Sequence, residues 1–391
     1  MRRNIKTSFR LQITNNAIIQ RIFCLLSDFT NNVWELISMN KTQFGVLILS
    51  TLLSQAVHIA HASELTVYGL GHLSADMIDD GQLTSNYVTS NSSRLGVSGS
   101  YALNENLEAI FQYETGVDLT AQGFNDGNGG ADSAGQIFTK GRESYVGLRG
   151  NFGKILIGHM PALDQWANDY NLFADQVGDL GNFWEASGVP GRLDNVIYYQ
   201  TPNYNNLDIA ITYTPEEGEA DSDKTIIKSS YNSSGLMLGL AYARIGQSDS
   251  FLNDHTSLAL TFGYDFGRFT FGGGFQNESD IKGIAGVERD SYSLGGSVKI
   301  GHKGILKSQI AFTNSDGENA DAQQFAIGYD YLLDKNITIY IAYARTDNDQ
   351  SVNFSVNGKG HGDKIVPALG DDPNVISLGL VVQFNLSFGL D

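Results

Sequence analysis

Apolar and polar side chains alternate every two residues in this chain, over about ten residues at a time, and the pattern recurs along the sequence. Leu207, Ile209, Ile211 and Tyr213 alternate with Asp208, Ala210 and Thr212. Ile337, Ile339, Ile341 and Tyr343 alternate with Thr338, Tyr340 and Ala342, and Leu107, Ala109, Phe111 and Tyr113 with Glu108, Gln112 and Glu114. Side chains two apart share one face of a strand, so each segment has an apolar face and a mostly polar one. Roughly ten residues is the length a tilted strand needs to cross a bilayer, whereas strands of soluble proteins average about five or six.

Sixteen such segments are read, the first at 64–77, the second at 92–102 and the last at 373–384. The gaps between them alternate between short turns, such as Asn104-Glu105, Gly150-Asn151 and Asp334-Lys335, and long polar stretches at 78–91, 119–139, 161–191, 278–287 and 347–372. Short turns at one end and long loops at the other mark a membrane barrel. In lipid no water satisfies an edge strand, so such a sheet must close. The expected fold is therefore all-β: a transmembrane antiparallel β-barrel of about sixteen strands. Tyr101, Tyr199, Tyr213, Tyr231, Tyr264 and Tyr343 fall near strand ends, where an aromatic ring can be half in lipid with its hydroxyl wet.

Composition removes other classes. The 391 residues carry 25 Lys+Arg against 43 Asp+Glu, and one cysteine, Cys24. That excludes a disulfide framework, and the acid excess argues against nucleic acid as a partner. From Met39 the sequence reads as a secretory signal peptide: Lys41, an apolar core from Phe44 to Leu53, and the small-x-small site Ala60-His61-Ala62 before Ser63. The domains are thus 1–38, an over-extended N-terminus outside the fold; 39–62, the signal peptide; and 63–391, the barrel. Residues 1–62 hold six basic and two acidic residues, so their removal takes the net charge from −18 to −22.

Ordered segments of the chain resemble the general diffusion porins of Gram-negative bacteria. ELTVYGLGHL is similar to their first strand. SRLGVSGSYAL with LEAIFQYE is similar to the second and third, and GRESYVGLRGNFGKILIGH to the fourth and fifth. RLDNVIYYQTPNYNNLDIAITY is similar to the sixth and seventh, and NVISLGLVVQF to the closing strand. The resemblance spans the whole of 63–391. It implies a homotrimer in the outer membrane, exported through the periplasm and embedded in its lipid, with each barrel a water-filled pore for ions and small hydrophilic solutes. It also implies a long third loop folded into the lumen.

By that resemblance the loop is Pro161 to Gly191, carrying Asp164, Asp169, Asp175, Asp179 and Glu185. The basic wall opposite comprises Arg94 in SRLG, Arg142 in RESYVGL and Arg192 in RLDN. Strand parity turns Arg94 and Arg192 inward, while Arg142 shares parity with the apolar Val146 and Leu148. Two positions that are often basic in the family are Leu70 and His159 here, thinning the basic wall. With the net charge of −22, this points to a mild preference for cations. The family's strand ends in an aromatic; here Phe384 occupies that place and NLSFGLD follows.

Other functions have weaker support. The histidines His72, His159, His255, His302 and His361 form no H-E-x-x-H, and no G-x-S-x-G is present, so a membrane hydrolase has no motif behind it and no catalytic residue is assigned. Asp126–Asp132 and Asp347–Asp349 are acidic but complete no calcium loop, so no metal is expected. No cofactor is needed for passive diffusion. A substrate-selective pore and a plugged structural or adhesive barrel remain as alternatives.

Overall fold

The computed structural model describes residues 63–120, 138–161, 169–184, 191–249, 252–358, 360–362 and 365–390. The stretches 1–38 and 39–62, the loop residues Asp164 and Glu185, and the run Asp126–Asp132 lie outside the described residues.

The chain forms β1 (Ser63–Asp79), β2 (Thr84–Ser90), β3 (Arg94–Asn104), β4 (Leu107–Val117), β5 (Phe138–Gly150), β6 (Gly153–Pro161), a single helical turn α1 (Gly181–Trp184), β7 (Arg192–Gln200), β8 (Leu207–Thr214), β9 (Lys224–Ser233), β10 (Leu236–Ile245), β11 (His255–Asp265), β12 (Phe269–Ser279), β13 (Arg289–Ile300), β14 (Gly304–Ser315), β15 (Ala322–Asp334), β16 (Ile337–Asn348) and β17 (Asn374–Leu390). Successive strands from β3 to β17 pair antiparallel, and β17 pairs with β1 from Ser63↔Leu390 to Asp79↔Asn374, which closes the sheet. Both β2 and β3 pair with β1, so they are halves of one wall strand, broken at Asn91–Ser93 where Ser92 has a φ of 46°. The result is a closed antiparallel barrel of sixteen strands. Closure satisfies the backbone donors and acceptors that would each cost several kcal/mol unpaired in hydrocarbon.

The faces are inverted relative to a soluble protein. On β11, Leu258, Leu260, Phe262 and Tyr264 are exposed while Ser257, Ala259 and Thr261 are buried. On β15, Phe325 and Ile327 are exposed while Gln324 and Ala326 are buried, and on β17 Ile376, Leu378, Leu380 and Val382 flank the buried Ser377. An apolar outer face and a small or polar inner one suit lipid outside and water or packed polar chain inside. Aromatics collect at the short-turn end: Phe266 and Phe269 stack at 4.3 Å beside the exposed Tyr264, and Tyr101 is exposed next to the turn after β3.

Two expectations are corrected. Residues 78–91 are not a long loop: 80–83 are the whole turn, and Thr84–Ser90 runs back along β1. TSNYVTS carries too few apolar residues to show a period, and its strand character comes from pairing with β1. Nor does the closing strand end at Phe384; Asn385–Leu390 continue it against Ser63–Tyr68.

The described part of the segment between β6 and β7 packs on the small and polar face of the barrel. Phe173, Val177, Leu180 and Phe183 are at most 1% exposed. Tyr170 shares a hydrogen bond with Thr270 (3.0 Å), the Leu172 N–H donates to Gln309 (3.0 Å), and Ser291 donates to the Phe183 carbonyl (3.1 Å). At Gly178 (φ 86°) a Cβ would stand 2.4 Å from that of Ala326, so glycine alone permits both the backbone angle and the approach.

Candidate functional site

The inner face and the 169–184 segment enclose a cavity of about 1750 Å³. Arg94 on β3, Arg142 on β5 and Arg192 on β7 line it from the wall, and Asp175 and Asp179 from the segment. Five of the eight expected residues are thus brought to one space. Asp169 is not among those lining it. Lys228 on β9 holds its carboxylate at 2.5 Å and Thr261 donates to it at 3.2 Å, so Asp169 anchors the segment to the wall instead. Asp164 and Glu185 lie outside the described residues.

Arg142 reaches the cavity against its strand parity. The β4–β5 pairing slips between Tyr113↔Ser144 and Thr115↔Gly141, where β5 contains one extra residue. Such a bulge re-aims the side chain beyond it. Val146 therefore faces out, 54% exposed, and Arg142 faces in, 6% exposed. A second slip, between Gly158↔Val196 and Met160↔Leu193 with Asn195 at φ 55°, sets the local geometry of His159, Arg192 and Asp194.

The basic side chains of the wall meet carboxylates. Arg142 Nε lies 2.5 Å from Glu114 Oε1, with both side chains buried, and the Tyr68 hydroxyl donates to the other oxygen at 2.9 Å. His159 Nδ1 is 2.6 Å from Asp194. Arg94 reaches 3.9 Å from Asp175, a wall-to-segment pair at the edge of the cavity. Asp179 is buried and accepts hydrogen bonds from Asn171 and from the N–H groups of Asp175 and Gly181. Burial, reinforced by the Asp175 charge, pushes its carboxyl up to about 6.

Six further lining acids are not among the expected site residues: Glu114, Glu143, Asp194 and the three of one loop. Glu216, Glu217 and Glu219, on the connection between β8 and β9, also line the cavity. Their signal in the sequence is a bare acidic run in a loop, which does not distinguish a pore mouth from any solvated turn. Glu114 was readable as part of the polar face of its strand; its pairing with Arg142 was not, because the bulge hides it. Among the described residues no cluster of His, Cys, Asp or Glu has the grouping of a metal site.

Comparison with known proteins agrees with this architecture. A family model described as Gram-negative porin matches residues 48–351. The outer membrane porin protein 32 of Delftia acidovorans is 27% identical over 343 residues, covering 81% of this chain and 93% of that protein. Among solved structures, the anion-selective porin from Comamonas acidovorans superposes with a TM-score of 0.70 at 24% identity, over 82% of this chain and all of that one. The trimer form of OmpT from Vibrio cholerae gives 0.63 at 17% identity, over 83% of this chain and all of that one. These last two likenesses bear on the fold. The chain belongs to the Gram-negative porin family, channel proteins of the bacterial outer membrane and not enzymes.

Proposed function

We propose that this porin is a homotrimer whose barrels pass ions and small hydrophilic solutes down their gradients, with a mild preference for cations. In this reading the 169–184 segment is the part of the third loop that enters the lumen. Arg94, Arg142 and Arg192 face Asp175 and Asp179 across the narrowed path, while Asp169 holds the loop in place. The single observation that carries the preference is the charge of the cavity. Eight Asp and Glu line it against five Lys and Arg, and the Arg142–Glu114 contact cancels one of each, leaving the acid excess unchanged. A lining of one sign concentrates ions of the other and selects at entry.

The opposite preference has one observation behind it: the Comamonas acidovorans relative is titled anion-selective. Reversal potential across a salt gradient separates the two readings. The parent is expected to favour cations at pH 7. Glu216→Gln, Glu217→Gln and Glu219→Gln together are expected to move the potential toward anions by more than any other loop triple. Asp179 adds a pH dependence with a definite sign. Its folded value is raised, so it gains a proton as pH falls through about 6, and the cation preference should weaken between pH 7 and pH 5. Asp179→Asn should show the acid-side preference at both values. A parent that favours anions at pH 7 refutes the cation reading.

We read Met39–Ala62 as a cleaved signal peptide and 1–38 as outside the protein. Intact mass of the membrane-extracted protein should correspond to a chain beginning at Ser63; a mass that includes 1–38 contradicts this.

A further inference from the structure

The connection between β16 and β17, 349–373, is the last long loop of the barrel. Its described residues do not simply cap the rim. Val356, Asn357, His361 and Ile365 are 5% exposed or less. The Gly178 N–H donates to the Val356 carbonyl at 2.7 Å, Val177 and Asn357 pair as an antiparallel bridge, and Asn182 donates to the Ser355 carbonyl. Phe354 stands edge-on to Phe183 at 5.0 Å. The loop is thus joined to the 169–184 segment by backbone pairing as well as by side chains.

On its other side the same loop is fastened to the wall. His361 Nε2 lies 3.2 Å from Asp76 of β1, and both side chains are fully buried. The Gly362 N–H donates to Asn91 at 2.9 Å, and Ser92 donates to the Gly360 carbonyl at 3.0 Å. Two glycines make the approach possible. A Cβ at Gly358 would stand 2.8 Å from the Asp179 carboxyl carbon, and one at Gly360 would stand 2.1 Å from an Asp175 oxygen. Gly360 also lines the cavity beside Asp175 and Asp179. A surface loop that sampled solvent freely would not bury an imidazole and a carboxylate together, since removing both from water is tolerated only in a fixed, paired geometry.

We infer that the described residues of 349–373 form a fixed second constriction element of the channel, layered on the third loop, and that the conducting path is the cavity left beside these two layers. The inference rests on the open-channel reading above. It assigns Gly360 to the pore lining and sets the acids of the third loop against backbone of the last loop at Gly358 and Gly360. The loop is part of the resting pore and does not move as a flap when the channel conducts.

The test is a cross-link in the full chain: Val177→Cys with Asn357→Cys. Partners in an antiparallel bridge have Cα atoms about 4.5–5.5 Å apart, within disulfide range. On oxidation with copper phenanthroline, the outer-membrane protein is expected to lose both free thiols, counted by maleimide mass tagging. In planar bilayers the oxidised channel is expected to conduct at the parent level, and reduction should leave that level unchanged. Replacing 352–366 with a short Gly-Ser turn should raise single-channel conductance on the order of twofold, because conduction follows the open cross-section. Thiols that stay free in folded trimer overturn the placement of the loop. A conductance that falls on oxidation and returns on reduction overturns the fixed state and makes the loop a gate. Since thiol counting needs no current, a misplaced loop is distinguished from a barrel that does not conduct.

Discussion

Arg289→Ala is expected to destabilise the barrel by about 3–5 kcal/mol, the usual cost of stranding one partner of a buried ion pair. Glu278 on β12 is 1% exposed at its side chain. Arg289 Nε on β13 donates to one of its oxygens at 2.9 Å, and His255 Nε2 on β11 lies 3.1 Å from the other. The guanidinium also sits 5.8 Å from the centre of the Phe354 ring, so it links the last long loop to the wall. Removing it leaves Glu278 a buried carboxylate without its guanidinium partner. The double variant Glu278→Gln with Arg289→Met should recover most of the loss, because neither side chain then carries charge into the wall. Urea titration of the detergent-folded protein, followed by the gel mobility of the folded barrel, reads both. Equal destabilisation by the single and double variants would show that the ion pair is not what fixes these strands.

Lys307→Met should have the largest effect on conduction. The Lys307 ammonium, 5% exposed on β14, donates to Gln176 at 3.0 Å, reaches Asp330 at 2.9 Å and lies 4.6 Å from the centre of the Phe173 ring. A desolvated cation over an aromatic face contributes about 2 kcal/mol, and removing Lys307 also strands the Asp330 carboxylate without its cation. Methionine fills a similar volume but offers neither charge nor donor. The 169–184 segment then loses the Lys307 tie, while the Leu172–Gln309 and Gln309–Gly178 hydrogen bonds and the Asp169–Lys228 pair still hold it. Single-channel records should show a higher mean current with flicker between levels, in place of one quiet level. Quiet records at the parent conductance would mean that Lys307 serves the wall and not the 169–184 segment.

The barrel was legible because the physics that builds it writes directly into the sequence. Lipid outside and polar chain inside force alternation on every strand, and β8, β11 and β16 show it cleanly. β2 was not legible, since TSNYVTS extends a hairpin by pairing with β1 and has little apolar alternation to display. Arg142 illustrates a second limit. Parity carries a side chain's direction only as far as the next bulge, and the slip between Ser144 and Gly141 reverses it. Asp169 illustrates a third: an acid in the correct loop can serve as an anchor, and only the position of Lys228 decides that. The packed part of 349–373 leaves a trace, as Val352, Phe354 and Val356 alternate within a stretch otherwise read as polar loop. That short period is what a strand-like segment packed against Val177 and Phe183 requires.

The most direct test of the account is single-channel recording of the folded protein in a planar bilayer under a salt gradient at pH 7. Current steps grouped in threes, from three barrels per particle, are expected, with a reversal potential on the cation side. Correctly folded protein that carries no current would contradict this, and would mean that the two inserted loops close the barrel completely.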